Sequence, residues 1–502
     1  MHYAAEIFRN AKSGPVLAAA FCLFPIFTKA EEVGERWGTA DKEREYYRLV
    51  ELPIPEDLVI EAGAFANLPD GRTAVGTRHG DIFFVSGIDA ANPEPKYHLF
   101  ATGLDEIFGI AVKDGALYVT QSAELTKITD TDGDGTADRY DVVSDAWGYG
   151  TYHEYAFGSN FDKEGNLYVA LGLSSSYRSE ELFRGWAFKI TPEGDSIPIA
   201  SGLRSPGGIG FDEHGALFYM ESQGPWNSSC SLKHIEEGGF MGHPASFNWY
   251  KYAPNMGPAP QQPVNGSSVL VESEKIPQLR PYSVIFPYIR MGRSLGAFVV
   301  NETGGNFGPF ENQLFIGDYT QSIIVRATTE KINGVWQGAC YPFREELSTG
   351  ILTVHFTPDG NLISGGTNRG WPVRGLKPFA LERLEWTGKT PFEIERITIN
   401  PTGFDIKFTK PVDPETAAKP ENYKLSTFTH KYHGAYGGPE IDQTEPMVTA
   451  VKLSEDGLTA TLTLDNITKG HVHEFDLAAI RESNGGELVH TFAFYTVNEI
   501  PK

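Results

Sequence analysis

Apolar positions in this 502-residue chain fall into short runs, and the runs pair up around tight polar turns. Beyond residue 55 these turns are Asp70-Gly71, Asp114-Gly115, Glu164-Gly165, His214-Gly215, Asn312-Gln313 and Asp359-Gly360. Around the second turn, GIAV (109–112) precedes and ALYVTQ (116–121) follows, with LTKIT (125–129) and RYDVV (139–143) next. Four short strands of this kind make one antiparallel sheet. Most of the turns lie about 45–50 residues apart, the spacing of β-propeller blades. The pattern predicts an all-β fold with a six-bladed β-propeller over residues 55–388. The wide gap before the fifth turn predicts a long ordered loop over 240–295, rich in Pro, Asn and aromatics.

From residue 391 the pattern changes. Segments such as ERITINPTGFDIKF, VKLSEDGLTATLTL and HTFAFYTV alternate apolar and polar positions between turns. This predicts a separate small antiparallel β-sandwich, Ig-like, over 391–502. Residues 31–54 read as a lead-in to the propeller. Residues 1–30 read as a signal peptide: Arg9 and Lys12 precede an apolar run at 15–27, which ends near the small residue Ala30. That run is short for a bilayer span and contains Pro25, so no transmembrane span is expected after cleavage and the location is periplasmic or secreted.

Composition narrows the partners. The formal net charge is −23, from 42 basic and 65 acidic residues, with no basic cluster, so a nucleic-acid backbone would be repelled. Without Cys22, only Cys230 and Cys340 remain; one disulfide and two buried thiols are both compatible with the sequence.

Strand alternation gathers distant residues on one rim of the propeller. Loops leading into the first strands carry His153 and Glu154, Arg204 and Ser205, Arg290 and Arg293, and Ser348 and Thr349. Loops leaving the second strands carry Arg78 and His79, Gln121, Ser174–Ser176, Glu221–Gln223, Asp318, and Asn368 with Arg369. Such a rim suits an anion or a sugar. His153, just ahead of an inner strand, is the best single base candidate, set against a plain loop histidine. Arg204 and Arg369 are candidate clamps for a carboxylate, set against surface salt bridging.

Two other constellations bear on metals. In Asp130-Thr-Asp-Gly-Asp-Gly-Thr-Ala-Asp138, with Asp141 at the twelfth position, carboxylates fall at positions 1, 3, 5, 9 and 12 and Gly at 6. This calcium-loop spacing predicts a structural Ca²⁺ held by Asp130, Asp132, Asp134, the Thr136 carbonyl, Asp138 and Asp141, with insertion limits 130–141. His430, His433, His471, His473 and His490 all lie in the small domain, and their spacing fits structural histidines better than a transition-metal site.

GLRSPGGIGFDEHGALFYMESQGPW, followed by GGFMGHP, resembles the glucose/sorbosone dehydrogenase family, as does the six-blade repeat over 55–388. The arrangement is also similar to a branch of secreted bacterial propellers marked by a Ca-loop insertion and a C-terminal β-sandwich. The resemblance implies an exported six-bladed propeller of the PQQ-dependent soluble aldose dehydrogenase type, oxidising a sugar or polyol with pyrroloquinoline quinone (PQQ) and passing electrons to an external acceptor. It implies that His153 is the general base and that Arg204 binds the quinone's carboxylates. Glu154, Arg78 and His79 join the catalytic set, and Ser205 and Arg369 the cofactor set. The sequence departs from the family at Ser205, where Asn is usual, at Phe240-Met241-Gly242-His243-Pro244, and at Arg78-His79 in place of a Glu-Arg pair. Two other readings stand beside oxidation: a carbohydrate lyase or glycoside hydrolase using His153 as base, and a glycan-binding module without turnover. The last would use Trp226, Trp249 and Trp371 as sugar platforms.

Overall fold

The computed structural model describes residues 35–150 and 153–502, so the signal segment expected at 1–30 lies outside the described residues. Among the described residues no helix is long and apolar enough to cross a membrane.

Six blades, each built on four antiparallel strands, follow one another along the chain, with the short parallel strand Gly239–Phe240 added to the third, and each of the six polar turns joins the first two strands of one blade. Their first strands are Ala62–Asn67, Gly109–Lys113, Ala156–Gly158, Pro206–Phe211, Leu295–Val300 and Ile351–Phe356. Each of these contacts the next, and the sixth contacts the first, so the ring closes as a six-bladed β-propeller. Small residues let the inner strands approach the axis. A Cβ on Gly109 would sit 2.7 Å from the Cα of Gly158, and one on Gly208 would sit 2.6 Å from the Cα of Ala297. The second strands are buried on both faces, as at Thr73–Thr77 and Leu217–Glu221. Their near-continuous apolar runs follow from packing between neighbouring blades.

The ring is closed by a segment read from sequence only as a lead-in. Strand Tyr47–Leu52 pairs antiparallel with Phe379–Trp386, from Tyr47 opposite Trp386 to Leu52 opposite Leu381, and becomes the outer strand of the sixth blade. The blade is thus assembled from both ends of the propeller sequence, so unfolding it requires breaking a contact between distant segments.

Two further expectations are corrected. The stretch 240–295 is more than a loop. It carries 3₁₀ turns at Pro244–Tyr252 and Pro254–Met256, a helix at Val269–Lys275, and strand Val284–Phe286, the fourth strand of blade four. The insertion therefore lies within a blade, and its Tyr250, Ala253 and Met256 pack onto the core of blade three. The C-terminal sandwich is not separate. One of its sheets comprises Ile394–Asn400, Gly403–Phe408, Thr459–Leu464 and Val448–Leu453. Its other sheet continues blade five, because Phe492–Val497 pairs with Val335–Arg344, Gly338 opposite Thr496 and Cys340 opposite Phe494. Ala339 and Tyr341 of the blade share one core with Phe404, Phe475 and Tyr495 of the sandwich. Extending an outer strand covers an otherwise open sheet edge.

Cys230 and Cys340 are both buried free thiols. Their sulfurs approach the carbonyls of Arg293 and Ile285 respectively, and burial pushes the Cys230 thiol up to about 12. Neither is placed to react.

Candidate functional site

A cavity of about 240 Å³ opens on the rim where the chain leaves the second strands. Its lining includes Arg78, His153, Ser175, Ser176, Arg204, Ser205, Arg293 and Arg369, with rings from Tyr155, Tyr177, Tyr288, Tyr319, Trp371 and Tyr436. No Asp or Glu lines it among the described residues. Four guanidiniums face one cavity in a chain of net charge −23.

The four arginines are held differently. Arg78 is 8% exposed and pairs with Glu106, Nη2 to Oε1 at 3.0 Å, while Arg369 reaches Glu61 at 2.8 Å. Among the described residues, Arg204 and Arg293 have no carboxylate within salt-bridge distance. Instead Arg204 donates Nε–H to the Ser176 carbonyl at 3.1 Å and Nη1–H to the Gln223 carbonyl at 2.5 Å. The rings of Tyr177 and Tyr436 lie 5.8 and 5.2 Å from its Cζ. Gly224 makes room for it, since a Cβ there would stand 2.1 Å from Cζ. Below, Glu221 accepts the Arg204 backbone N–H, the Tyr219 hydroxyl at 3.0 Å and the Lys233 ammonium, all buried. Arg293 donates Nε–H to the Tyr288 hydroxyl at 2.9 Å, and its Nη1 is buried with no hydrogen-bond partner among the described residues. A buried donor left unmade costs about 1–3 kcal/mol, so such a group favours a ligand that accepts from it.

His153 sits in left-handed backbone, φ 72°, and so do the lining residues Ser175 (φ 50°) and Ser176 (φ 61°). Non-glycine residues held there cost on the order of 1–3 kcal/mol each, a kind of strain that collects at functional sites. Burial, then the charges of Arg204 and Arg78, lower the His153 pKa below the ordinary imidazole value. The ring is therefore neutral at pH 7 and able to accept a proton. It stands 5.8 Å from the Tyr155 ring and 6.2 Å from the Trp371 ring, centroid to centroid. Behind it, buried Arg184 donates to the carbonyls of Gly148, Tyr155 and Ser122, at 2.7, 3.0 and 2.7 Å. That tie holds the loop from the side away from the cavity.

The structure brings together His153, Arg78, Arg204, Ser205 and Arg369, and leaves out Glu154 and His79. Glu154 is fully buried and accepts the Gly150 N–H at 2.5 Å. His79 turns to Glu61 at 3.1 Å. Each is next in sequence to a lining residue, and both pairs sit at turns, where the backbone sends the two side chains different ways. Arg290, also expected on the rim, is bound to Glu474 and Glu440 of the sandwich. Sequence reading missed Tyr436. It arrives on a sandwich loop pinned to blade four by Gly437 N–H to the Gly224 carbonyl (3.2 Å) and Trp226 N–H to the His433 carbonyl (2.8 Å). Of the aromatic platforms expected, Trp371 lines the cavity, whereas Trp226 is buried against Tyr432 and Trp249 stacks on Tyr252.

The family model described as "Domain of unknown function (DUF7133)" matches residues 67–335, more than half of the chain. The chain belongs to this family. Its match runs from the first hairpin turn of blade one through the insertion and most of blade five, including His153, Arg204 and Arg293. No curated protein matches the chain. Solved structures similar to it include an oxidoreductase (glucose dehydrogenase) from Thermus thermophilus, 19% identical, covering 67% of this chain and 99% of that one, TM-score 0.48. Another is the PQQ-bound aldose sugar dehydrogenase of Streptomyces coelicolor, 16% identical, covering 68% and 98%, TM-score 0.43. A third is the holo PQQ domain of a Coprinopsis cinerea pyranose dehydrogenase, 10% identical, covering 68% and 95%, TM-score 0.45.

The loop joining the third and fourth strands of blade two spans 130–138, shorter than the expected 130–141, and Asp141 lies within the fourth strand. Ligand oxygens of Asp130, Asp132 and Asp134 lie within 4.8 Å of one another. Asp138 instead accepts the N–H and hydroxyl of Thr131, and Asp141 pairs with Arg139. Three of the five expected carboxylates therefore converge. Among the described residues no candidate metal-holding group of three includes a sandwich histidine. His473 is buried beside Phe404, and His471 shares a hydrogen bond with Thr427.

Proposed function

We propose that the cavity is the active site of an exported sugar or polyol oxidoreductase, with His153 as general base and a carboxylate-bearing ligand on the arginines. The observation that carries this reading is the lining itself: four guanidiniums, of which Arg204 and Arg293 have no carboxylate partner among the described residues, beside a neutral imidazole in a described lining without Asp or Glu. Charges left uncompensated in a folded protein await a ligand of opposite sign.

PQQ fits this lining in charge and shape. It is planar, matching the tyrosine rings about Arg204, and its carboxylates suit guanidiniums that no protein acid occupies. Arg204 and Arg293 would hold it, with Ser205 and Arg369 nearby. Acceptance of two electrons from an alcohol carbon is the chemistry such a quinone supplies when bound. The chain's own part is to bind the hydroxyl group near His153 and take its proton onto the imidazole. Arg78, fixed by Glu106, keeps positive potential beside the alkoxide that forms. In this reading Asp130, Asp132 and Asp134 hold a structural Ca²⁺ away from the chemistry, and an external acceptor takes the electrons.

A second reading draws on the unpartnered Arg293 Nη1. With a uronate, the arginines would neutralise the carboxylate while His153 removes the neighbouring C–H proton; that electron pair forms the C=C bond as the glycosidic C–O bond on the next carbon breaks, and the leaving oxygen takes a proton from water, a lyase reaction needing no cofactor. Two-carboxylate glycoside hydrolysis fits less well, because the described lining offers no acid.

Quinone titration of the purified protein with Ca²⁺, followed by dye reduction with a panel of aldoses and polyols, separates the readings. Stoichiometric uptake, lost in Arg204→Gln, supports oxidation. Absence of uptake together with new unsaturated ends from a polyuronate replaces it with the lyase.

A further inference from the structure

The cavity is charged at depth and aromatic at its mouth. Arg204 and Arg78 are 5% and 8% exposed, whereas Tyr177, Trp371 and Tyr436 are 51%, 61% and 54% exposed. Trp371 is the one exposed tryptophan of the eight in the chain. The three rings come from three separate units: the loop after the second strand of blade three, the matching loop of blade six, and the C-terminal sandwich. Large rings kept in water around one concave site mark a surface made for contact, since each would otherwise gain by burial.

Tyr436 is not there by default. Its loop is bridged to Pro225, and Gly437, at φ 59°, lies so close to Gln223 that a Cβ would stand 2.6 Å from it. Tyr432 of the same loop is buried, donates its hydroxyl to the Gly242 carbonyl and packs edge-on against Trp226 at 5.0 Å. The sandwich is thereby locked onto the propeller at the point where it delivers a ring to the mouth.

We propose that the site takes the end of an acidic oligosaccharide: one acid-bearing residue enters among the arginines while neighbouring sugar rings stack on Trp371, Tyr436 and Tyr177. This rests on the reading of the cavity as the active site in its second form, in which the arginines hold a uronate in place of the quinone, and names its substrate class. It also gives the sandwich a role, as the third wall of an extended binding surface. Sugar faces are apolar and flat, and pair with aromatic rings that remain partly wet. The acidic unit is required because the described lining offers cations and no anion.

Calorimetric titration of the purified full chain, without added quinone, tests the inference apart from turnover. The probes are tetragalacturonate, galacturonate and the uncharged tetrasaccharide cellotetraose. Tetragalacturonate is expected to bind at least tenfold more tightly than either of the others. Trp371→Ala and Tyr436→Ala should each weaken it at least threefold more than they weaken galacturonate, with the unfolding midpoint unchanged. Arg204→Gln should weaken both acidic probes. Equal affinity for tetramer and monomer, equal affinity for the charged and uncharged tetramers, or no binding at all overturns the inference. A failed quinone uptake with tetramer binding intact would instead reject only the redox reading.

Discussion

Two histidines, one half-buried and one fully buried, show how differently one side chain is used in this molecule. His153 faces the cavity beside arginines, and burial together with Arg204 and Arg78 keeps it neutral. His490 lies in the seam between the N-terminal segment, blade five and the sandwich. Its Nδ1 meets Glu393 at 2.6 Å and its Nε2 meets Glu43 at 3.0 Å, and Arg344 reaches Glu43 at 2.8 Å. All four groups are at most 4% exposed. Burial alone would push the His490 pKa down, but the two carboxylates outweigh it and raise it to about 9. In the seam two cations meet two anions and the charges cancel. In the cavity cations outnumber anions and the excess is left open. Compensation goes with holding parts together, and its absence with binding something else.

The largest expected effect comes from breaking the seam. Glu43→Ala leaves Arg344 without its carboxylate and His490 with one partner, which should cost about 3–5 kcal/mol of stability. Chemical denaturation would measure it, and ligand affinity of the folded fraction should not change. The cavity should behave in the opposite way. His153→Asn suits the left-handed backbone, because Asn tolerates positive φ. It should lower turnover at least about a hundredfold, the scale of a lost general base, with stability within about 0.5 kcal/mol of the parent. If both variants lost stability equally, the contrast between the two regions would fail.

A milder way to sharpen the contrast is pH. The folded pKa of His490 lies above its ordinary 6.5, so its contribution is fully present below about 6.5 and is lost as pH rises toward about 9. For Glu43 burial alone would raise the pKa, but the hydrogen bond and charge of His490 hold it down to about 2 from 4.5. That contribution is present above about 4.5 and fades as pH falls toward 2. Stability against denaturant should therefore be greatest between about pH 4.5 and 6.5, and Glu43→Ala should flatten both slopes. Turnover should respond differently, falling on the acid side as His153 takes up a proton at a pKa below its ordinary value.

Much of the propeller was legible because hairpin turns are local. A polar turn between two apolar runs specifies its pairing within about ten residues. From six such turns, strand alternation placed Arg78, His153, Arg204 and Arg369 on one rim, where the cavity holds them. Contacts between distant segments left no such mark. Tyr47–Leu52 closes a blade with a partner at Phe379–Trp386, and nothing in its own short run announces it. Tyr436 enters the cavity from a domain whose alternation speaks only of its own sheets. The join between Val335–Arg344 and Phe492–Val497 is an edge pairing, which binary patterning does not encode. Glu154 was a different kind of miss: His153 takes the cavity side from a left-handed turn that strand alternation does not foresee, and Glu154 is buried behind it.

The Asp130–Asp134 loop reverses the cavity's sign and sets the smallest expected effect. Among the described residues Asp130, Asp132 and Asp134 converge without a basic partner, since Arg139 is taken by Asp141. Backbone N–H groups of Gly133 and Gly135 point at Asp130 and hold its carboxyl below the usual carboxylate range. If uncompensated charge goes with ligand binding here as in the cavity, added Ca²⁺ should raise the unfolding midpoint, and Asp132→Ala should abolish the rise. The loop is exposed and lies between two outer strands, so the shift should be about 1–3 °C, the scale of less than about 1 kcal/mol in a fold this large. Scanning calorimetry with Ca²⁺, and with chelator, would measure it in parent and variant. No shift in the parent would mean that the backbone amides alone satisfy these carboxylates. Open charge would then mark a ligand only where, as around Arg204 and Arg293, the low-dielectric walls of a cavity surround it.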